Sequence, residues 1–393
     1  MNKKRSAFSG KIGYVLSAAG ASVGLGNIWR FPYLAAKYGG GIFLLVYIIL
    51  ALTFGYTMIV AESALGRMTR KSPVGAFRSF AKGKKVGWLS FGGWINAIIP
   101  VLIVPYYSVI GGWVVKYLFE YIRGNGSKLA EDGYFSGFIS NGGATEICFV
   151  IFCMFTLVII YAGVQNGIER VSKIMMPILI VLSVIIAIYS VTRPGAIEGV
   201  KYFLVPNVKN FSWMTVVAAM GQMFYSLSIA MGILVTFGSY MRKDTSIEDS
   251  TGNVEIFDTA IAMMAGLMII PAVFAFSGGD PDTLQAGPSL MFITIPKVFA
   301  NMGFGTAVGI LFFVLVLFAA VTSSIALTES AVSTFEDELG WGRKKATVLT
   351  GVIMIALGTL SCLGYGPLDF VKIIGMQFLD FFDFLTNSVM MPI

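Results

Sequence analysis

Histidine is absent from the 393-residue chain. That absence removes Ser-His-Asp triads, imidazole proton relays and histidine metal ligands together. Cysteine is scarce as well: Cys148, Cys153 and Cys362 are the only three. They lie in apolar runs, and their spacing fits neither a zinc site nor a redox pair, so core packing is their role. Charged residues make up 12% of the chain, against about 25% in soluble domains. An ordinary soluble domain is thereby excluded. No phosphate-cradling loop or nucleotide motif occurs; Gly92-Gly93 and Gly111-Gly112 read as close helix contacts.

What the chain has in abundance is apolar residue, 56% of the total. A membrane span needs about 20 such residues in a row. On that rule spans fall at about 11–36, 41–65, 88–122, 145–164, 170–192, 212–240, 255–277, 303–335, 345–366 and 372–393. Residues 1–10 carry Lys3, Lys4 and Arg5 ahead of an apolar run, without a cleavage site and mature domain behind it. They read as a cytoplasmic tail, and 11–393 as a single transmembrane transport domain. With the N-terminus inside, inner loops gather the lysines and arginines, including Arg67, Arg70, Lys71, Arg78, Lys82, Lys84 and Lys85. This is the positive-inside pattern. It accounts for the net charge of +7 without a nucleic-acid partner. Long outer connections follow the third span (124–143) and the seventh (277–303, with Asp280-Pro281-Asp282); short helices are expected in both.

Two spans are interrupted. Gly20-Ala21-Ser22-Val23-Gly24-Leu25-Gly26-Asn27-Ile28-Trp29-Arg30-Phe31-Pro32 puts three closely spaced glycines, an asparagine, an arginine and a proline inside an apolar segment. Glycine costs about 1 kcal/mol in a helix interior. A break at membrane depth is tolerated only where it is buried in protein or lines a wet cavity. The sixth span repeats the anomaly in Gly221-Gln222-Met223-Phe224-Tyr225-Ser226-Leu227-Ser228-Ile229-Ala230-Met231-Gly232. Ordinary helix packing also enriches small residues. Two interrupted segments five spans apart point instead to a midplane binding site between inverted halves.

These residues resemble the neurotransmitter:sodium symporter family, in its bacterial amino-acid branch. The likeness runs through Gly39-Gly40-Gly41, Glu62-Ser63-Ala64-Leu65-Gly66-Arg67, Tyr106-Tyr107, the sixth span, Thr322-Ser323-Ser324-Ile325-Ala326, Phe335-Glu336-Asp337-Glu338-Leu339 and Leu379-Asp380 to Asp383-Phe384. It covers essentially the whole chain, and members for aromatic substrates, tyrosine among them, look closest. The resemblance implies an all-α, LeuT-like 5+5 inverted repeat, with the first repeat at about 11–192 and the second at about 212–393. Family members have eleven or twelve spans, so the sequence ending at Ile393 reads as cut within the tenth helix.

What the resemblance implies for sites is specific. The substrate carboxylate would meet the amides of Gly24, Leu25 and Gly26 beyond Ser22, with the Tyr107 hydroxyl. Ile103, Tyr225, Ser226, Ser228, Met231, Ser324 and Leu327 would complete the substrate pocket. One sodium would sit among Ser22, Asn27, Ser226 and Asp258. The other would sit among Gly20, Val23, Ala319, Thr322 and Ser323, although Thr322 and Ser323 also suit back-bonding to their own helix. Arg30 and Asp383 would form an outer gate, directly or through water, and Arg5, Phe8, Tyr240, Glu329 and Asp337 an inner one. Exposed pairs of this kind contribute about 0–1 kcal/mol. Glu62 would accept hydrogen bonds from the unwound sixth span.

Asp258 carries the sharpest expectation, because an acid within a span is costly and functional by default. Animal members carry asparagine there and use chloride, and Ala262, four residues on, supplies no hydroxyl or acid. Asp258 therefore replaces the anion, and no chloride is required. A vague span boundary leaves one rival for it, a helix-end residue facing the cytoplasm.

The expectation is a sodium-coupled symporter, with two sodium ions, of a neutral hydrophobic or aromatic L-amino acid, tyrosine first. It would be a multi-pass protein of the bacterial inner membrane, a monomer or weak dimer in the lipid bilayer, and not an enzyme. An ion channel of the same architecture, a non-transporting amino-acid sensor, and an intramembrane enzyme are the alternatives. The last lacks any nucleophile–base pair to carry it.

Overall fold

The computed structural model describes residues 5–80, 87–278 and 287–392. Those residues are almost entirely helical, joined by two isolated β-bridges, Gly40 to Pro206 and Ile373 to Met376. Seven helices are long and apolar enough to cross a membrane unbroken: Gly41–Thr69, Ser90–Ile122, Gly142–Ala162, Val164–Val191, Ile247–Ser277, Gly305–Glu338 and Arg343–Leu363. They are the second to fifth and seventh to ninth spans. Lys82, Lys84 and Lys85 of the basic cluster, Lys3 and Lys4, and Asp280-Pro281-Asp282 lie outside the described residues.

The first and sixth spans are each two pieces. The first runs helically over Lys11–Ser22 and then leaves the helix at Val23, with φ −72° and ψ 93°. It resumes as a π-helical turn over Gly26–Arg30 and an α-helix over Phe31–Lys37. The sixth runs over Trp213–Ser226, breaks, and resumes over Ile233–Ser239. Inside this break Ser228, Ala230 and Gly232 have φ of +56°, +63° and +68°. Left-handed backbone at a non-glycine residue costs on the order of 1–3 kcal/mol and persists only where the surroundings enforce it. Here they do. Glu62 Oε1 accepts from Ala230 N at 2.8 Å, Ile229 N donates to Phe224 O at 3.0 Å, and Ser228 Oγ donates to Ala21 O at 3.3 Å.

Two boundaries differ from expectation, and one helix is new. The seventh span begins at Ile247, capped by Ser246, rather than near residue 255. Its first turns carry Glu248, Asp249, Ser250 and Thr251, polar enough to hide the helix from a hydropathy rule. Asp258 is consequently a mid-helix residue, fully buried, and the helix-end reading fails. The tenth span begins at Phe378, not 372, because Ile374 and Gly375 adopt positive φ in a tight turn closed by the Ile373–Met376 bridge. A helix at Pro73–Phe80, on the side of the N-terminal tail, was not expected.

Short helices do occupy the two long connections, at Gly126–Leu129, Tyr134–Ser140 and Leu290–Ala300. An aromatic cluster fastens them to the third span. The Phe292 ring lies 4.9 Å from Tyr117, 5.7 Å from Trp113 and 5.2 Å from Phe135, centroid to centroid. Such pairs contribute about 0.5–1.5 kcal/mol each beyond their area. On the outside of the bundle Leu52, Ile151, Val158, Ile174 and Ile188 are exposed, the apolar belt that a bilayer covers. The core lies inward, against the two breaks.

Candidate functional site

The two breaks face each other across a narrow cavity of about 30 Å³. Its walls come from four spans: Ala21, Ser22 and Gly24 to Asn27 from the first, Ile103 and Tyr107 from the third, Tyr225, Ser228, Met231 and Ile233 from the sixth, and Ser323 and Leu327 from the eighth. Two glycines let the walls meet. A Cβ on Gly24 would stand 2.6 Å from Ser323 Oγ and 3.2 Å from Tyr107 OH, and one on Gly26 would meet the Tyr225 ring. One end of the cavity is polar backbone and hydroxyls. The other is Ile103, Met231, Ile233 and Leu327, which suits a neutral, apolar side chain.

Breaking the first span frees amides that must be paired when buried. Gly24 N donates to Asn27 Oδ1 at 3.1 Å, and Leu25 N donates to the Tyr107 hydroxyl at 3.2 Å. The Ser22 hydroxyl is buried and has no hydrogen-bond partner among the described residues. Ser226 is not in the cavity lining, and Ser324 does not line it either: its hydroxyl pairs with Thr156 Oγ1 at 3.2 Å. On a helix adjacent residues point about 100° apart, so the neighbouring Ser323 takes the place expected of Ser324.

Asp258 is the hub of a buried network. Asn27 Nδ2 donates to Asp258 Oδ1 at 2.8 Å and to Ser226 Oγ at 2.9 Å. Ser226 Oγ lies 2.8 Å from Asp258 Oδ2, and Tyr47 OH donates to the same oxygen at 3.2 Å. Four spans meet on one carboxylate. Gln222 adds a tie, donating from Nε2 to Gly26 O at 3.1 Å. Tyr47 and Gln222 escaped the sequence reading: a tyrosine in an apolar run looks like packing, and a lone glutamine carries no motif. The donor set of oxygens, with one carboxylate and the unpaired Ser22 hydroxyl close in sequence, suits a hard cation.

A second set of oxygens joins the first and eighth spans. Ser323 Oγ lies 3.2 Å from Ala21 O, 3.3 Å from Val23 O and 3.4 Å from Gly20 O. Thr322 behaves differently. Its hydroxyl back-bonds within the eighth span, to Phe318 O at 2.9 Å and Ala319 O at 3.2 Å. Gly20, Val23 and Ser323 are thus brought together, and Thr322 packs beside them: a Cβ on Gly20 would stand 3.1 Å from Thr322 Cβ.

The inner group is assembled. Arg5 pairs with Asp337 at 2.6 Å, donates to Ser239 and Ser333, and lies 4.9 Å over the Tyr240 ring. Phe8 is buried against Tyr14, Phe237 and Tyr240. Tyr240 OH donates to Glu329 Oε1 at 2.7 Å, and Arg343 holds the same carboxylate at 2.6 Å. Arg343, missed from sequence, neutralises a Glu329 that has no exposure. The outer pair makes no direct contact. Arg30 lies 4.9 Å over the Tyr225 ring. Asp383 accepts from Tyr106 OH at 3.2 Å and Asn387 Nδ2 at 2.6 Å, and no direct Arg30–Asp383 ion pair forms among the described residues. The ring face attracts the guanidinium, and neutral donors satisfy the acid.

Comparisons with known proteins agree with this architecture. The profile of the "Sodium:neurotransmitter symporter family" matches residues 5–127 and 134–393. An "Uncharacterized sodium-dependent transporter YhdH" of Bacillus subtilis is 37% identical over 388 residues, 98% of this chain and 84% of that protein. An "Uncharacterized sodium-dependent transporter" of Haemophilus influenzae is 33% identical over 99% of this chain and 87% of its own length. Among solved structures, the crystal structure of MhsT in complex with L-phenylalanine superposes with a TM-score of 0.88. It is 39% identical, over 99% of this chain and 88% of that one. The fold is therefore the LeuT-like 5+5 inverted repeat with broken first and sixth helices. The chain belongs to the sodium:neurotransmitter symporter family and is a sodium-dependent membrane transporter.

Proposed function

We propose that this chain imports a neutral, hydrophobic or aromatic L-amino acid with sodium, tyrosine first among candidates, by alternating access and without chloride. The observation that carries this reading is the buried Asp258 carboxylate, joined to Ser226 and to Asn27, which lines a small cavity. In this reading one sodium lies among Ser22, Asn27, Ser226, Asp258 and the substrate carboxylate, so each ligand completes the other's site. Asp258 supplies the fixed negative charge that a bound anion would otherwise bring. In the same reading a second sodium lies among the Gly20, Val23 and Ala319 carbonyls and the Thr322 and Ser323 hydroxyls. It would hold the first span against the eighth while the inner side is closed. The phenylalanine bound to MhsT and the apolar wall of Ile103, Met231, Ile233 and Leu327 support an aromatic substrate.

The inner group of Arg5, Phe8, Tyr240, Glu329 and Asp337 would open as the outer side closes. The outer closure would then use Arg30 swinging from Tyr225 toward Asp383. With the N-terminus in the cytoplasm, the basic end of the bundle faces inward, as charge bias requires. The protein would work in the bacterial inner membrane as a monomer or weak dimer.

Uptake of labelled amino acids into proteoliposomes under an imposed sodium gradient tests the reading. Saturable accumulation of aromatic amino acids in chloride-free buffer is expected. Ion current without amino acid would favour a channel. Binding without accumulation would favour a sensor. Preference for glycine or a charged amino acid would sink the assignment of the apolar wall.

A further inference from the structure

A groove at the basic end of the bundle takes no part in the cycle described above. It lies between the last turns of the second span, the helix Pro73–Phe80, and the link from the sixth span to the seventh. It holds about 620 Å³. Its floor is apolar: Ala61, Ala64, Leu65, Met68, Phe80 and Ile247. The four residues from the second span recur at helical three- and four-residue steps and so share a face. Met68 is 65% exposed and Phe80 is 52% exposed. Higher on the same span Leu52 and Phe54 are exposed as well, so its outer side runs through hydrocarbon down to this point.

The rim is cationic. Arg67 and Lys243 both line the groove. Arg67 donates from its two Nη atoms to the carbonyls of Thr245 and Lys243, which pins the link and leaves three of its five N–H donors for other acceptors. Lys243 is exposed, and its Nζ has no hydrogen-bond or ion-pair partner among the described residues. Asp244, the neighbouring acid, is already held by Arg242 at 2.8 and 3.0 Å. An apolar floor open to the bilayer, under a positive rim at headgroup level, is complementary to a lipid phosphate above an acyl chain. Basic pockets between spans on the cytoplasmic side take acidic headgroups for this reason.

We propose that this groove binds one anionic phospholipid, with its phosphate on Arg67 and Lys243 and an acyl chain on Ala61, Ala64, Leu65 and Met68. The lipid docks the link between the sixth and seventh spans to the end of the second. The inference does not depend on which amino acid is carried.

Native mass spectrometry of the purified chain, titrated with phosphatidylglycerol or phosphatidylcholine, tests it. The first phosphatidylglycerol should bind more tightly than phosphatidylcholine, and Lys243→Gln should lower that preference about fivefold, the effect of one basic residue at an acidic surface. Ala64→Trp, which fills the floor, should weaken both lipids, and Phe80→Ala, which strips one wall without crowding the bundle, should do the same to a smaller degree. Melting curves of each variant separate lipid loss from misfolding. Inorganic phosphate in excess should fail to displace the lipid. Equal affinity for the two lipids, a preference unchanged in Lys243→Gln, or displacement by inorganic phosphate would each overturn the proposal.

Discussion

Asp258 draws on three other spans through three side chains: Asn27, Ser226 and Tyr47. A carboxylate at this depth is retained only for a purpose, since charge within a span costs several kcal/mol unless paired. Asp258→Asn keeps the size and most of the hydrogen bonds but removes the charge. Sodium-driven uptake in chloride-free buffer should fall at least about tenfold, or about 1.4 kcal/mol; full retention there would show that Asp258 is only structural. Gly24→Ala tests the close approach of the cavity walls. Its methyl would crowd Ser323 and Tyr107, and overpacking of this kind costs about 1–3 kcal/mol. The KM for the amino acid should rise about tenfold or more in uptake assays, while the melting temperature moves little. Residue identity was only partly legible in the sequence. Asp258 stood out because acids are rare in apolar runs. Tyr47 and Gln222 did not, because nothing local distinguishes a network tyrosine from a packing one. The choice between Ser323 and Ser324 turned on helix rotation, which adjacent serines conceal.

At the scale of elements, the sixth span carries the strain. Three alternate residues, Ser228, Ala230 and Gly232, hold left-handed backbone, and Glu62 secures one of them through the Ala230 amide. Glu62→Ala would leave that amide without its side-chain partner inside the span, at a cost of about 1–3 kcal/mol. Thermal melting should fall, and uptake should fall with it; unchanged melting would mean that the break holds without Glu62. The breaks themselves were readable, because glycine, asparagine and proline contradict an apolar helix wherever they cluster. The start of the seventh span was not, since its capped, polar first turns resemble a loop to any rule built on hydropathy. The tenth span was misplaced for a related reason: Lys372-Ile373-Ile374 looks like helix by composition, but a turn at Ile374 and Gly375 intervenes.

For the molecule as a whole, one end is fastened and the other less so. Arg5 ties the N-terminal tail to the sixth and eighth spans through Ser239, Ser333 and Asp337. Arg30 and Asp383 at the opposite end have other partners. This asymmetry fits a molecule closed on the side of its tail. Arg5→Ala should shift the population toward the tail-side-open form. A cysteine introduced at Ser239 should then react with a thiol reagent severalfold faster than in the unaltered gate; an unchanged rate would remove Arg5 from the gate. The overall architecture was the most legible feature, because span count, charge bias and two interruptions are patterns spread over many residues. The geometry of the outer gate was the least, because whether opposite charges in one region meet directly, through water or through an aromatic ring is set by packing around them.

The most direct test is accumulation of labelled L-tyrosine by proteoliposomes containing the unaltered chain, with chloride replaced throughout and sodium as the only gradient. The account predicts concentration above the external level while sodium is higher outside, and collapse when the gradient is dissipated. Uptake that is indifferent to the sodium gradient, or that appears only when chloride is restored, would contradict it.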